Sequence, residues 1–232
     1  MESQTQRMHT DATHGKDLIY LTVYPEEYDP DLQYPLVIML HGLGASMYDL
    51  ADLARLIDTR GYVYVCPNAP VPVQIAQNVL GFAWNMPGKD DPEGALRSEQ
   101  KLDGFCQEVM EKYRVPPGQA VLLGFSQGGG LTYRYGLSHP NLFAGLAALS
   151  CSIRDPDEMR QRLPAERRQP IFVAHGLQDN IERARASREF LESEGYTPKY
   201  MEYNMGHEIN QDVMNDLVPW MRLILPPLQR TG

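Results

Sequence analysis

The serine of Gly124-Phe125-Ser126-Gln127-Gly128 stands between two glycines. It follows the apolar run Ala120-Val121-Leu122-Leu123 and precedes Gly129-Gly130. A serine hydroxyl is a weak nucleophile until a base takes its proton. G-x-S-x-G between a strand and a helix is a sharp turn that lifts the hydroxyl above the carboxyl edge of a sheet. The helix that follows aims its first amides at developing negative charge. The bland alternative is a glycine-rich turn with a capping serine. What separates the two readings is whether the chain also supplies a base, an acid to orient that base, and donors for an oxyanion.

After an elbow serine of this kind, the acid and then the histidine follow along the chain. The run "PIFVA" is followed by His175-Gly176-Leu177-Gln178-Asp179, which puts Asp179 at the same sheet edge as Ser126. Its competing reading is a cap for the helix starting near Ile181. Asp155 and Asp157 are rivals, but they follow an earlier strand and open a polar segment. His207, in Gly206-His207-Glu208, is the only histidine after Asp179 and is the expected general base. His139 sits at a helix end beside Pro140, His9 and His14 lie near the amino end, and His175 reads as structural. The run "VIML" leads into His41-Gly42-Leu43-Gly44, a strand-to-loop turn whose backbone would lie beside the nucleophile. The amides of Leu43 and Gln127 are the expected oxyanion donors. His41 is the residue expected to brace that loop.

The elements that must position these groups are legible from periodicity. Strands are predicted at Leu18–Tyr24, Pro35–Leu40, Tyr62–Val65, Ala120–Phe125, Phe143–Leu149, Pro170–Ala174 and Lys199–Tyr203. Helical patterns lie between them. One is marked by Leu50 to Ile57 and one by Leu102 to Tyr113. A third runs from Gln127 to about Ser138, a fourth is marked by Ala184 to Leu191, and the last by Val213 to Ile224, where Pro219 should kink the helix or delay its start. Such alternation implies an α/β fold with a mostly parallel sheet covered on both faces. Residues 1–15 are expected as a flexible tail and 16–232 as a single domain. The segment 67–95 breaks the rhythm. It is rich in Pro and Gly, yet it carries Ile75, Val79, Phe82, Trp84 and Met86. It is expected as a long irregular insertion that walls a substrate pocket, with Trp84 facing the substrate; the competing reading is that its apolar residues merely anchor the loop to the core.

Composition narrows the function classes. The chain has 232 residues, a net charge of -9 and a pI near 5.1, which disfavours nucleic acid or anionic lipid as a partner. Three scattered cysteines, Cys66, Cys106 and Cys151, read as buried thiols rather than a disulfide framework or a zinc site. The first residues lack the apolar run of a signal peptide, and no stretch is long enough to span a membrane. The expected location is the cytoplasm.

With these motifs in place, the chain resembles the phospholipase/carboxylesterase family of α/β-hydrolases, which includes the acyl-protein thioesterases. The resemblance covers roughly residues 35 to 225. It rests on "LHGLG" (Leu40–Gly44), "GFSQGG" (Gly124–Gly129), "AHGLQD" (Ala174–Asp179) and "GHEI" (Gly206–Ile209), in that order, with "LSCS" and Trp84 as further points of similarity. It implies an α/β-hydrolase fold without a separate cap domain, a triad of Ser126, Asp179 and His207, and an oxyanion hole at Leu43 and Gln127. It also implies that no cofactor and no metal is needed. Departures from the family pattern are Ala45 where an Asp is common, Asn180-Ile181-Glu182 where Val-Pro is common, and Ile153 near a usual Trp. The expected activity is hydrolysis of short- to medium-chain carboxylic esters, with Leu43 and Trp84 at the substrate. Acyl-protein or acyl-carrier thioester or lysophospholipid cleavage is the alternative. A non-catalytic ligand-binding protein is the rival of another class. The expected partner is a small-molecule ester, with no nucleic acid and no membrane insertion, and the protein a monomer or homodimer.

Overall fold

The computed structural model describes residues 7–86 and 91–229. Expectations that fall on residues 1–6, 87–90 and 230–232 lie outside them. Eight strands form one sheet: β1 (His9–His14), β2 (Ile19–Tyr24), β3 (Leu36–Leu40), β4 (Val63–Pro67), β7 (Ala120–Phe125), β8 (Gly145–Leu149), β9 (Ile171–Gly176) and β10 (Lys199–Tyr203). Their spatial order is β1-β2-β4-β3-β7-β8-β9-β10. The pairs β1–β2 and β2–β4 are antiparallel and the rest are parallel. This is the mostly parallel sheet of an α/β-hydrolase.

Strand parity explains why the central strands read as unbroken apolar runs. Leu36, Ile38 and Leu40 of β3 join one core, while Val37 and Met39 join the other. Successive side chains point to opposite faces, so a strand covered on both sides has no polar position. The first face is covered by α2 (Pro92–Lys112) through Leu102, Phe105 and Val109, and by α5 (Ile181–Ser193) through Phe190 and Leu191. The second is covered by α1 (Leu53–Ile57) and by α6 (Gln211–Ile224) through Met214, Leu217 and Trp220. Pro219 lies within α6 and does not delay its start.

Several local expectations are corrected. Residues 9–14 belong to an edge strand, not to a loose tail. Every residue from His9 to Ala12, and His14, is exposed, so β1 has no buried apolar face; it is held by backbone pairing with β2 and by the stacking of His9 on Tyr24. In place of irregular structure, the described part of the insertion carries β5 (Val71–Ala76) and β6 (Val79–Ala83), which form an antiparallel hairpin with Asn78 in the left-handed region at φ 61°. Helix α2 starts at Pro92 rather than near Arg97, and α4 (Pro156–Arg162) was not anticipated. Both begin with Asp-Pro, where the Asp91 and Asp155 carboxylates accept the amides of Gly94 and Glu158. An N-cap Asp before Pro at the first helical position is a start signal readable from sequence. After α3 (Gln127–Leu131) the chain widens into a π-helical turn, Thr132–Gly136, in place of one long α-helix.

Candidate active site

Ser126 follows the last residue of β7 and caps α3, with φ 54° and ψ -115°. A non-glycine residue there is strained by roughly 1–3 kcal/mol and persists only where the surroundings enforce it. The neighbouring glycines show what enforces it. A Cβ on Gly124 would run into the Gly128 carbonyl, and one on Gly128 into the Leu40 carbonyl, with the His41 carbonyl at 2.6 Å. The turn is tight because both glycines lack that atom. The Ser126 amide is spent on the Leu149 carbonyl at 2.9 Å, which ties the elbow to β8.

The loops after β9 and β10 are zipped together at the sheet edge. The Leu177 amide donates to the Tyr203 carbonyl at 2.8 Å, and Gln178 to Met205 at 3.1 Å. This brings together side chains far apart in sequence. His207 Nδ1 donates to Asp179 Oδ2 at 2.7 Å, and Ser126 Oγ lies 2.8 Å from His207 Nε2. The other carboxylate oxygen of Asp179 accepts the Asn180 amide at 2.8 Å. Burial pushes the Asp179 carboxyl up, but hydrogen bonds from His207 and Asn180, with the nearby His207 and His175, bring it below the ordinary range. The carboxylate therefore stays charged opposite the imidazole. The rival acids are used elsewhere: Asp155 caps α4 and Asp157 pairs with Arg160.

The loop after β3 lies against the elbow, since a Cβ on Gly42 would meet Ser126 Cβ at 3.3 Å. His41 is 1% exposed and locked as one neutral tautomer. Its Nδ1 donates to the Gly42 carbonyl at 2.7 Å, and its Nε2 accepts the Ala69 amide at 3.0 Å. In a trans peptide the C=O and N–H point oppositely, so holding the Gly42 carbonyl turns the Leu43 amide the other way. The next amides are already engaged, Gly44 on Phe82 and Ala45 on Gly42. The Gln127 amide is in the first turn of α3, where amides lack intrahelical partners.

Trp84 lines the same cavity but is only 2% exposed. Its indole N–H donates to the His41 carbonyl at 2.9 Å, so it braces the Gly42-Leu43 loop from behind. Sequence reasoning pointed this ring at the substrate; the structure sinks it into the core, while Ile75, Val79 and Leu80 of the hairpin are the exposed apolar residues. Sequence reasoning also missed the Gln127 side chain. Its Oε1 accepts the Trp84 amide at 2.7 Å and its Nε2 donates to the Asn85 carbonyl at 2.8 Å, clamping the insertion to the elbow.

His41 and His175 share a consequence. Burial lowers both from the ordinary value of 6.5, although Gly42 and Asp49 raise His41, and Asp179 raises His175. Below 6.5 the unfolded chain takes up protons that the folded chain refuses, so stability falls as pH drops from there through the lower folded values. The expected urea midpoint is level above about pH 7 and declines below about pH 6.5. His41→Gln should remove part of that decline; a midpoint equally pH-sensitive in the variant would show that His41 is not responsible.

The candidate groups open onto one cavity of about 760 Å³, lined by Leu43, Trp84, Ser126, Gln127, Asp179 and His207 among others. Its lining includes members of an ion cluster. Arg134 pairs with Glu99 at 2.9 Å and with Glu158 at 2.6 Å, and Arg162 also pairs with Glu99. His175 contributes to the wall, with Nε2 3.2 Å from Asp179 Oδ2. Among the described residues, no group of three or more His, Cys, Asp or Glu is placed to hold a metal ion, and no helix is long and apolar enough to cross a membrane.

This architecture has known counterparts. A profile of the Phospholipase/Carboxylesterase family matches residues 29–225. Acyl-protein thioesterase 1 of Mycosarcoma maydis is 27% identical over 219 residues, covering 82% of this chain and 91% of its own. A probable carboxylesterase of Oryza sativa subsp. japonica is 27% identical over 204 residues, covering 80% of this chain and 76% of its own. Among solved structures, esterase PE8 superposes with a TM-score of 0.76 at 24% identity, covering 88% of this chain and 97% of its own. The family match spans most of the chain and its fold is the α/β-hydrolase fold, so the chain belongs to the Phospholipase/Carboxylesterase family and is an enzyme of the serine-hydrolase type.

Proposed function

We propose that this enzyme is an acyl hydrolase that cleaves thioesters, and oxygen esters by the same route, through an acyl-enzyme on Ser126. The observation that carries the reading is the hydrogen-bonded series Asp179–His207–Ser126, at 2.7 and 2.8 Å, ending on a serine held at positive φ. His207 Nε2 takes the proton as Ser126 Oγ attacks the carbonyl carbon. The carbonyl oxygen, now negative, accepts the amides of Leu43 and Gln127. Collapse breaks the bond to the leaving group, which takes the proton from His207. Water then attacks the acyl-enzyme, with His207 again as base, and releases the acid and free Ser126. Asp179 keeps Nδ1 protonated, so that Nε2 faces the serine.

Sequence reasoning put carboxylic esters first. The relatives shift the weight to thioesters, since the Mycosarcoma maydis protein is an acyl-protein thioesterase; the rice relative, a probable carboxylesterase, keeps oxygen esters as the second reading. One continuous sheet from His9 to Tyr203 supports a single domain that includes β1. Three buried, unpaired thiols support a cytoplasmic setting.

A fluorophosphonate probe should label the full chain once, on the peptide containing Ser126, and His207→Ala should suppress labelling. Thioesters and oxygen esters of matched acyl groups should then both be hydrolysed, the thioester with the larger kcat/KM. An unlabelled Ser126 would end the hydrolase mechanism. Faster turnover of the oxygen ester would return the assignment to a carboxylesterase.

A further inference from the structure

The charges around the cavity are unevenly satisfied. Every carboxylate in its wall has a partner: Asp91 and Asp155 cap helices, Glu158 pairs with Arg134, and Asp179 holds His207. Two of the wall's arginines, Arg134 and Arg162, are likewise paired. The other two, Arg154 and Arg183, have no ion pair and no side-chain hydrogen bond among the described residues. Both are exposed.

The fold brings the segments carrying these two residues together. The amide of Ile153, next to Arg154, donates to Ser187 Oγ at 2.9 Å, and that hydroxyl donates to the Arg183 carbonyl one turn earlier at 2.8 Å. Arg183 also stands where a helix least favours a cation. It is in the first turn of α5, at the positive end of the helix dipole. The only acid in that turn, Glu182, is engaged by Arg185 at 3.0 Å. A residue that breaks a local rule without local compensation is a place to look for function. The chain as a whole carries -9, so its distant field repels anions, and an anionic substrate needs cations at the site itself.

We propose that Arg154 and Arg183 form a subsite for an oxyanion, a carboxylate or phosphate, carried by the substrate whose acyl bond meets Ser126. This rests on the acyl-hydrolase reading and narrows its substrate class to acidic esters and thioesters. The planar guanidinium suits both anions, because its N–H groups match two oxygens at once.

The test uses matched pairs that differ only in charge. One pair is 4-nitrophenyl pentanoate and 4-nitrophenyl hemiglutarate, with the charge on the acyl side. The second is phenyl thiobutyrate and its 4-carboxyphenyl counterpart, with the charge on the leaving group. The third is phenyl thiobutyrate and its 4-phosphonooxyphenyl counterpart. In the full chain, at least one anionic member should exceed its neutral partner in kcat/KM by about tenfold or more, the scale of one charge-assisted contact. Which pair responds identifies the side and the anion. Arg154→Gln with Arg183→Gln should bring that ratio close to one, whereas the double Lys variant, which keeps the charge but loses the two-oxygen fork, should keep part of it. Raising ionic strength to about 1 M, where the screening length is about 3 Å, should shrink it. Calorimetric titration of Ser126→Ala with the same pairs reads the preference without turnover. A charge preference in binding with no hydrolysis by the wild type would overturn the hydrolase reading and leave the subsite standing. Hydrolysis with no preference in any pair, or a preference that survives the double Gln variant, would overturn the subsite.

Discussion

Ser126→Ala is expected to lower turnover by about 10³-fold or more, and His207→Ala to do the same, while the double variant should be little worse than either alone. The non-additivity follows from geometry. The hydroxyl and Nε2 are 2.8 Å apart and act on one proton, so losing either partner idles the other. A second readout separates this from damage to the fold. Ser126 has φ 54°, a value that a glycine adopts freely. Ser126→Gly should therefore raise the urea midpoint while activity is lost, because roughly 1–3 kcal/mol of backbone strain is relieved. Near-normal hydrolysis by Ser126→Ala would discard the mechanism. A lower midpoint in Ser126→Gly would show that the elbow is not strained.

Gly128→Ala is expected to be the most damaging single-methyl change near the site. The added carbon falls on the Leu40 carbonyl, with the His41 carbonyl at 2.6 Å, and both are backbone atoms of the loop entry after β3. Backbone cannot rotate aside as a side chain does. Either α3 lifts off the sheet or the His41-Gly42-Leu43 segment shifts. Overpacking of this kind costs about 1–3 kcal/mol, and a misplacement near 1 Å costs about 10²-fold in rate. Gly130→Ala, two residues on, is the contrast. Its nearest neighbour is the Ser152 carbonyl at 4.0 Å, so the methyl has room and stability should not fall. Equal urea midpoints and equal rates for Gly128→Ala and the wild type would refute the close-approach account.

By itself the sequence determined the parallel core, the chain order of serine, acid and base, and the loop facing the nucleophile. These rest on local signals: apolar strands buried on both faces, and glycines flanking a serine at a strand end. Helix starts at Asp91-Pro92 and Asp155-Pro156 carry a readable N-cap signal, which the Pro- and Gly-rich surroundings obscure in the first case and a run of polar residues in the second. What only the tertiary structure decided depends on partners distant in the chain. Strand β1 has no apolar pattern because its stabilising contacts are backbone hydrogen bonds to β2, which leave no trace in side-chain type. Trp84 was legible as a large ring near the site, but its direction was not, since that is set by the His41 carbonyl, 43 positions away. Gln127 looked like a backbone donor; its side chain clamps Trp84 and Asn85 across a similar separation. Which arginines are free is likewise a tertiary fact. Composition counts charges, but pairing depends on which ones the fold brings within a few ångströms of each other, and among the described residues that left Arg154 and Arg183 without an ion pair in the wall of the cavity that Ser126 also lines.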